Sequence, residues 1–245
     1  MSANNLTTSI EAYVARQQTP AIRWRRQIMR TLIRQIPFRM CKITITGQEN
    51  IPDTGPVIMM MNHISALDPG LIMGAVTNRF VVPMTKIENT EFLLGKLTIW
   101  WWDAYTVRRG EVDRSALTNS IELLKSGQCI LIAPEGTRQK NGLARPKEGL
   151  TYVATKANAV IVPTAISGAI GWKEKWKRFE RPEIDINFGP AFRFKTEGRT
   201  RVPREELTEM TEEAMYQLSK AITDPALRGI YSDLSKASAR FLEFI

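Results

Sequence analysis

Short apolar segments recur between longer amphipathic segments along the chain after residue 40. The unbroken apolar run over residues 57–61 is typical of a buried strand, and the alternation over residues 42–46 is typical of a half-buried one. Further strands are predicted at residues 79–83, 104–107, 128–133, 160–165 and 183–188. Because helical segments separate most of these strands, the pattern favours an α/β layered fold with a mostly parallel central sheet flanked by helices.

Capping residues mark the ends of several of the predicted helices. Asp68 followed by Pro69 has the form of an N-cap with proline at the first helical position, which predicts a helix over residues 70–77. Asp113 and Gly127 enclose a second helix over residues 113–126. A third, highly charged helix is predicted over residues 204–222.

Residues 21–36 predict a basic amphipathic helix. At about 100° per residue, apolar and basic side chains separate onto opposite faces. The apolar face contains Trp24, Ile28, Met29, Leu32, Ile33 and Ile36, and the basic face contains Arg23, Arg26, Arg30 and Arg34. Such helices lie in lipid interfaces with their cations near anionic headgroups. The alternative is a surface helix docked on its own domain, with a solvated basic face.

Composition and charge restrict the class of protein. With 245 residues, 43% hydrophobic and 24% charged, the chain is long enough for a globular core. The net charge of +9 indicates an acidic partner, such as nucleic acid, an anionic lipid surface or a phosphorylated substrate. No nucleic-acid-binding motif accompanies the charge, so nucleic acid is not predicted as a partner. The two cysteines predict neither a disulfide framework nor a metal site.

The expected organisation has three parts. Residues 1–41 form a membrane-interface helical segment, residues 42–200 a catalytic core, and residues 201–245 a helical region packed on that core. Residues 1–18 are polar and do not resemble a secretory signal. No uncharged apolar run approaches the roughly 20 residues that span a bilayer. We therefore expect a peripheral or monotopic protein.

His63 is the only histidine of the chain and follows the predicted strand over residues 57–61. A tight turn would bring Asp68, five residues later, against one ring nitrogen and leave the other free to take a proton from a hydroxyl. The alternatives are a loop histidine with satisfied hydrogen bonds beside an Asp68 that only caps a helix. Ser65 is a less favoured candidate for a nucleophile.

A second polar segment follows the apolar residues 129–132. Its members are Glu135, Gly136, Thr137 and Arg138, at the edge of the sheet where His63 is also expected. Gly136 permits close backbone approach, Thr137 supplies a hydroxyl, and Arg138 carries donors suited to phosphate. Glu135 is expected to hold Arg138 or a neighbouring loop in place. The alternative is a plain turn with a surface ion pair.

Taken together, Asn62-His63-x4-Asp68 and the later Glu135-Gly-Thr-Arg138 resemble the glycerolipid acyltransferase family, which includes lysophosphatidic acid acyltransferases. Residues 105–110, which contain Arg108, and the hydrophobic residues 160–165 resemble two further family blocks in the same order. Lys147 stands where the family has a basic stretch, although the paired lysines usual there are absent. The resemblance covers roughly residues 45–194 and implies a glycerol-3-phosphate acyltransferase-like fold.

The resemblance also implies a reaction and its partners. A fatty acyl group would move from acyl-CoA or acyl-carrier protein to the hydroxyl of 1-acyl-sn-glycerol-3-phosphate, at the cytoplasmic face of a membrane and without a cofactor or metal. His63 would act as general base and Asp68 would orient it, while Arg108, Arg138 and Lys147 would hold the acceptor phosphate. Alternatives are another lysolipid, glycerol-3-phosphate or a glycolipid as acceptor, or a non-catalytic membrane lipid-binding protein.

An acyl chain also needs an apolar slot near His63. The candidate residues are Met59, Met60, Met61, Phe92, Leu93, Leu94, Ile99, Trp100, Trp101 and Trp102. The three tryptophans would alternatively anchor in the membrane interface, a depth that indole prefers.

Overall fold

The computed structural model describes residues 3–86, 99–107, 113–199 and 201–245, and these contain a nine-stranded sheet at the centre of the molecule. The strands are β1 Lys42–Thr46, β2 Val57–Met61, β3 Val81–Lys86, β4 Tyr105–Val107, β5 Cys129–Ile132, β6 Val160–Ser167, β7 Glu183–Phe188, β8 Phe192–Phe194 and β9 Leu242–Phe244. Their order is β1-β7-β6-β2-β5-β3-β4, and β8 joins the sheet through β6 and carries β9 at its other side.

Most neighbouring strands run parallel. β2 lies between β5 and β6 and is parallel to both, with Val57 opposite Cys129 on one side and Val160 on the other. The antiparallel pairs are β6 with β7, β6 with β8, and β8 with β9. All five residues of β2 are buried, as expected for a strand covered on both faces. The prediction of an α/β fold with a mostly parallel sheet is confirmed.

Helices cover the sheet. They are α1 Ala3–Gln17, α2 Pro20–Gln35, α3 Pro37–Met40, α4 Asp68–Ala75, α5 Arg114–Lys125, α6 Gly149–Ala157, α7 Trp172–Lys177 and α8 Arg204–Ala221. The capping of α5 is as predicted, because the Asp113 side chain accepts hydrogen bonds from the main-chain N–H groups of Ser115 and Ala116. α8 packs against β6 and buries Met210, Met215 and Leu218 in the core.

The start of α4 differs from the prediction. Asp68 is the first residue of the helix rather than its N-cap, which is Leu67, and the Asp68 side chain makes no capping hydrogen bond. Its carboxylate instead accepts hydrogen bonds from residues that precede the helix. The described helices are all too short or too polar to cross a lipid bilayer.

Helix α2 is amphipathic as predicted, but three arginines of its basic face bind the protein itself, while Arg23 is exposed. Arg26 is fully buried, donates from Nε to the carbonyl oxygen of Trp102 at 3.0 Å and donates from Nη2 to Oε1 of Gln17. Burial lowers the pKa of Arg26 to about 10. The expectation that this face contacts lipid headgroups is therefore wrong for Arg26.

Two further arginines of α2 bind main-chain carbonyl groups at the end of α4 and just after it. Arg30 donates to the carbonyl oxygen of Thr77 at 3.0 Å, and Arg34 donates to that of Gly74 at 3.0 Å. The last carbonyl groups of a helix have no partner within the helix, and cationic donors satisfy them well. This requirement, which arises some 40 residues away in the chain, directs the guanidinium groups of Arg30 and Arg34 toward the domain.

Several exposed side chains of α2 and α3 are apolar. Trp24, Leu32, Ile36 and Met40 expose 64%, 45%, 55% and 39% of their surfaces. We call these four residues the outer apolar face. Met29 and Ile33, which the sequence assigned to the same apolar half, pack against the core.

Candidate active site

The polypeptide after β2 is held to the neighbouring strand by Asn62. Its buried side chain donates to the carbonyl oxygen of Ile166 at 2.9 Å and accepts from the Ile166 N–H at 2.8 Å. This reciprocal pair joins the ends of β2 and β6 and fixes the position of the next residue, His63. His63 therefore lies at the carboxyl edge of the parallel strands, where α/β proteins commonly bind ligands.

His63 and Asp68 are in contact, as the sequence predicted. Nδ1 of His63 lies 2.9 Å from Oδ2 of Asp68. The same oxygen accepts from the main-chain N–H groups of Ile64 and Ser65, both at 2.7 Å, and Oδ1 accepts from the Ser65 hydroxyl at 2.6 Å. Asp68 is fully buried. Because an ionised carboxylate only accepts hydrogen bonds, this contact places the imidazole proton on Nδ1 and leaves Nε2 as a proton acceptor.

This geometry separates the alternatives for Ser65 and Asp68. The Ser65 hydroxyl donates to Asp68 and accepts from the Leu67 N–H at 3.1 Å, so it supports the carboxylate and is not paired with His63 as a nucleophile would be. Asp68 is more than a helix cap, since the groups that it binds form the His63 turn. The sequence analysis did not predict this role of Ser65, although serine and aspartate side chains often close local turns by hydrogen bonds to nearby main-chain groups.

His63 opens onto a cavity of about 850 Å³ beside the sheet edge. Its walls come from the ends of β2 and β5, from α5 and α6, and from the start of α8. The apolar lining includes Met61, Leu117, Leu131, Leu150, Val153 and Leu207. A histidine at the wall of a large, mainly apolar cavity suits a long hydrocarbon substrate.

The cavity contains only part of the apolar slot that the sequence predicted. Met61 lines the cavity, whereas Met59 and Met60 are fully buried in the core. Trp102 is also buried, and Trp100 is exposed. Phe92, Leu93 and Leu94 lie outside the described residues. Helices α5 and α6 supply much of the wall, and their contribution depends on how they pack, which periodicity alone does not show.

The loop after β5 is hydrogen-bonded to the turn that carries His63. The Gln139 N–H donates to the carbonyl oxygen of His63 at 2.7 Å, and the Lys147 N–H donates to that of Pro134 at 2.9 Å. Gly136 has a φ of +71°, and a Cβ atom there would lie 3.1 Å from Cε of Lys147. Glycine at this position therefore lets the Lys147 side chain lie across the loop at the cavity.

Glu135 is buried beneath this loop. Its Oε1 accepts from the Ala144 N–H at 2.8 Å, so Glu135 holds the neighbouring loop, the second of the two roles expected from the sequence. Burial raises the pKa of Glu135 to about 7, against the opposing effect of the main-chain N–H groups of Ala144 and His63. Within the described ranges no ion pair joins Glu135 to Arg138.

The structure brings the predicted site residues together to different degrees. His63, Gly136 and Lys147 line the cavity, with Asp68 and Glu135 buried behind them. Thr137 and Arg138 lie on the same loop but are exposed and are not among the cavity residues. Arg108 lies outside the described residues.

The sequence analysis did not predict one of the cationic residues that line the cavity. Arg204, at the start of α8, lines the cavity and lies 3.4 Å from Glu148 in an ion pair. Its position depends on the packing of α8 near α6, some 60 residues along the chain from the site. The local charge pattern of α8 carries no sign of it.

Several known proteins are similar to this chain in sequence. A family model described as Acyltransferase matches residues 42–167, which is 126 of the 245 residues. A 1-acyl-sn-glycerol-3-phosphate acyltransferase of Borreliella burgdorferi is 31% identical over 130 residues, 51% of this chain and 51% of that protein. A probable 1-acyl-sn-glycerol-3-phosphate acyltransferase of Mycoplasma pneumoniae is 28% identical over 196 residues, 77% of this chain and 71% of its own length.

A solved structure shares the fold. The 1-acyl-sn-glycerophosphate (LPA) acyltransferase of Thermotoga maritima superposes with a TM-score of 0.56 at 22% identity, over 83% of this chain and 84% of that one. The chain spans about half the length of the Borreliella relative. Because the matched family region covers more than half of this chain and contains both the His63–Asp68 pair and the Glu135 loop, the chain belongs to the acyltransferase family.

Proposed function

We propose that this protein transfers a fatty acyl group from acyl-CoA or acyl-carrier protein to the free hydroxyl of 1-acyl-sn-glycerol-3-phosphate, forming phosphatidic acid. The observation that carries the proposal is the His63–Asp68 pair at the wall of an apolar cavity of about 850 Å³. The names of the Borreliella and Mycoplasma relatives support the choice of acceptor.

In the proposed reaction His63 is a general base. Nε2 removes the proton of the acceptor hydroxyl while that oxygen attacks the thioester carbonyl. The tetrahedral intermediate then expels the thiolate, the carbon–sulfur bond breaks, and the proton on Nε2 passes to the leaving sulfur. An acyl thioester is already activated, so the protein need not form a covalent intermediate.

Asp68 keeps His63 ready for this step. Its carboxylate is held by two main-chain N–H groups and the Ser65 hydroxyl, and so it offers Nδ1 a fixed acceptor. Its negative charge stabilises the imidazolium that forms when Nε2 takes the proton. These donors belong to Ile64 and Ser65, the residues that follow His63 in the chain.

Cations around the loop after β5 are proposed to hold the acceptor phosphate. Lys147 lies at the cavity beside Gly136, and Arg138 is exposed on the same loop. Arg108 is proposed to bind the same phosphate, as the family resemblance implies. Such contacts would align the acceptor hydroxyl with His63 as well as bind the headgroup.

The outer apolar face is proposed to rest on the bilayer that contains the lysolipid. Trp24, Leu32 and Ile36 expose about half or more of their surfaces. Arg25 stacks over Trp100 with its guanidinium carbon 4.4 Å from the ring centroid, which places a cation beside an exposed indole. Amphipathic helices with tryptophan bind interfaces through their apolar side. The membrane contact is thus assigned to the side of α2 opposite the buried Arg26, at the cytoplasmic face.

The test is an acyl-transfer assay with purified protein in mixed vesicles. The acceptors are 1-acyl-sn-glycerol-3-phosphate, glycerol-3-phosphate and monoacylglycerol, each with acyl-CoA and with acyl-carrier protein. We expect transfer to 1-acyl-sn-glycerol-3-phosphate to be the most efficient. Preference for an uncharged acceptor would contradict phosphate recognition, and vesicle binding without transfer to any acceptor would indicate a non-catalytic lipid-binding protein.

Phosphate recognition is tested separately with Lys147→Ala and Arg138→Ala. Each should raise KM for the phosphate-bearing acceptor by roughly 10-fold, the size expected for loss of a charged hydrogen bond. Transfer to monoacylglycerol should change little. Lys140→Ala is the matched control, since Lys140 is an exposed cation of the same loop. Equal losses on both acceptors would remove the basis for the phosphate assignment.

A further inference from the structure

The connection between β6 and β7, residues 168–182, leaves the sheet at the edge that carries His63, because β6 runs parallel to β2. It contains the short helix α7, whose Trp172 and Trp176 pack edge to face with ring centroids 4.5 Å apart. The charged residues of this connection are Lys173, Glu174, Lys175, Lys177, Arg178, Glu180 and Arg181, so cations outnumber carboxylates. This segment takes no part in the proposed reaction, and it is not part of the α2 surface that we propose to meet the bilayer.

Phe179 belongs to this connection and has almost no packing partner. It is 98% exposed, and its φ of +58° lies in the left-handed region that side chains other than glycine rarely adopt. Main-chain hydrogen bonds from Phe179 to Trp176 at 3.0 Å and from Glu180 to Lys175 at 2.9 Å hold this conformation. A strained backbone that displays a large aromatic ring to solvent is not explained by packing, and such strain is a reason to look for a function.

The connection continues the outer apolar face. The Trp176 indole N–H donates to the carbonyl oxygen of Met40 at 3.1 Å, and Arg181 donates to that of Cys41 at 2.6 Å. Met40 is the last residue of α3 and a member of that face. The exposed aromatic ring, the tryptophan pair and the cations therefore adjoin the surface that we propose to meet the bilayer.

We infer that the β6–β7 connection is a second bilayer contact, in which Phe179 enters the apolar boundary while Lys173 and Lys177 approach anionic headgroups. This inference rests on the proposed membrane docking of α2. An acidic protein such as acyl-carrier protein would also match the cations. The bilayer is favoured because a fully exposed phenyl ring flanked by cations, beside an apolar helix face, is the composition of an interfacial anchor.

Two contacts would orient the enzyme better than one. Helix α2 packs beside α4, and the β6–β7 connection follows β6, whose end is bonded to Asn62 next to His63. With both seated on the bilayer, the carboxyl edge of the sheet would face the lipid. A lysolipid could then present its hydroxyl to His63 without leaving the bilayer fully.

The first experiment places a probe at Phe179. Phe179→Cys is labelled with a polarity-sensitive fluorophore, which is selective because the two native cysteines are buried. Phe244→Cys is the control, since Phe244 is half-exposed on β9, which joins the sheet through β8 near the start of β6. On adding vesicles that contain phosphatidylglycerol, we expect a blue shift of emission at position 179 and none at position 244.

The second experiment uses Phe179→Gly, because glycine accepts the positive φ without strain. We expect unchanged or higher thermal stability together with vesicle binding that is weaker by roughly fivefold to tenfold, as loss of an inserted aromatic ring predicts. A lower melting temperature with unchanged vesicle binding would show a structural role and overturn the inference. Lys177→Glu should also weaken binding, with an effect that shrinks at high salt.

The outcomes separate this inference from the proposed function. Failure of the unaltered protein to sediment with vesicles overturns the membrane docking and this inference together. Vesicle binding with no shift of the probe at position 179 overturns only the second contact. A shift caused by acidic acyl-carrier protein, and not by vesicles, overturns the bilayer assignment in favour of a protein docking site.

Discussion

The His63–Asp68 turn and helix α2 differ in how far apart along the chain their hydrogen-bonded partners lie. In the turn, all the donors to Asp68 lie within residues 63–65, so sequence spacing alone suggests the contact. In α2, the arginines reach main-chain carbonyl groups at Trp102, Thr77 and Gly74, which lie 40 to 76 residues away. The first arrangement is local, and the second depends on the fold.

This difference shows why an amphipathic pattern does not decide which face is buried. Different effects favour packing of each face of α2 against the protein. The hydrophobic effect favours burial of the apolar face, and the end of α4 needs the hydrogen-bond donors of the basic face. The arginine face meets the second need, and Ile22, Met29 and Ile33 provide the apolar contact beside it. Trp24, Leu32 and Ile36 remain exposed.

The largest effect is expected for substitutions in the His63–Asp68 turn. His63→Ala should lower turnover by ~10²–10⁴, the contribution of a positioned general base, while the urea unfolding curve stays nearly unchanged. Asp68→Asn should lower both turnover and stability, because the amide group would face N–H donors that now bind a carboxylate. Turnover of His63→Ala close to that of the unaltered protein would refute the general-base role.

Arg26 gives the next largest effect, on stability. Arg26→Met should reduce the free energy of unfolding by about 3 kcal/mol, since Trp102 and Gln17 would lose a buried charged donor. Arg23→Met is the matched control, because Arg23 is exposed on the same helix, and it should change stability by less than about 0.5 kcal/mol. Similar losses in urea unfolding of the two variants would contradict this role of Arg26.

Glu135 adds a smaller, pH-dependent effect. Its pKa rises from 4.5 to about 7 on folding, so the folded state binds more protons between these values. The free energy of unfolding should therefore fall as pH rises through this interval, by on the order of 2 kcal/mol, and Glu135→Gln should remove that decline. The control is Glu183→Gln, since Glu183 is exposed and its hydrogen bond with Lys42 lowers its pKa. A decline that persists in Glu135→Gln would assign it to other groups.

The smallest effect on stability is expected on the outer apolar face. Trp24→Ser with Leu32→Ser should change the free energy of unfolding by less than about 0.5 kcal/mol per site, because both side chains are exposed. Sedimentation with vesicles should nevertheless weaken. Unaltered vesicle binding would move the proposed membrane contact away from α2.

Strand predictions succeeded where the pattern was strong. The boundaries of β1, β2 and β7 agree with the predicted residues 42–46, 57–61 and 183–188. β8 and β9 were not predicted, since three-residue strands carry little periodicity and pair only after distant segments meet. Helix α6, which follows the loop that carries Lys147, was also not predicted.

The sequence by itself determined the His63–Asp68 contact and the class of fold. A histidine followed five residues later by an aspartate at a strand end can close a hydrogen bond through local main-chain geometry, and alternating strands and helices have few ways to pack. Tertiary structure decided which face of α2 is buried, which helices line the cavity, and that Glu135 holds the Ala144 loop. These outcomes depend on satisfying main-chain groups that lie far apart in the chain and meet only when the sheet and helices have assembled.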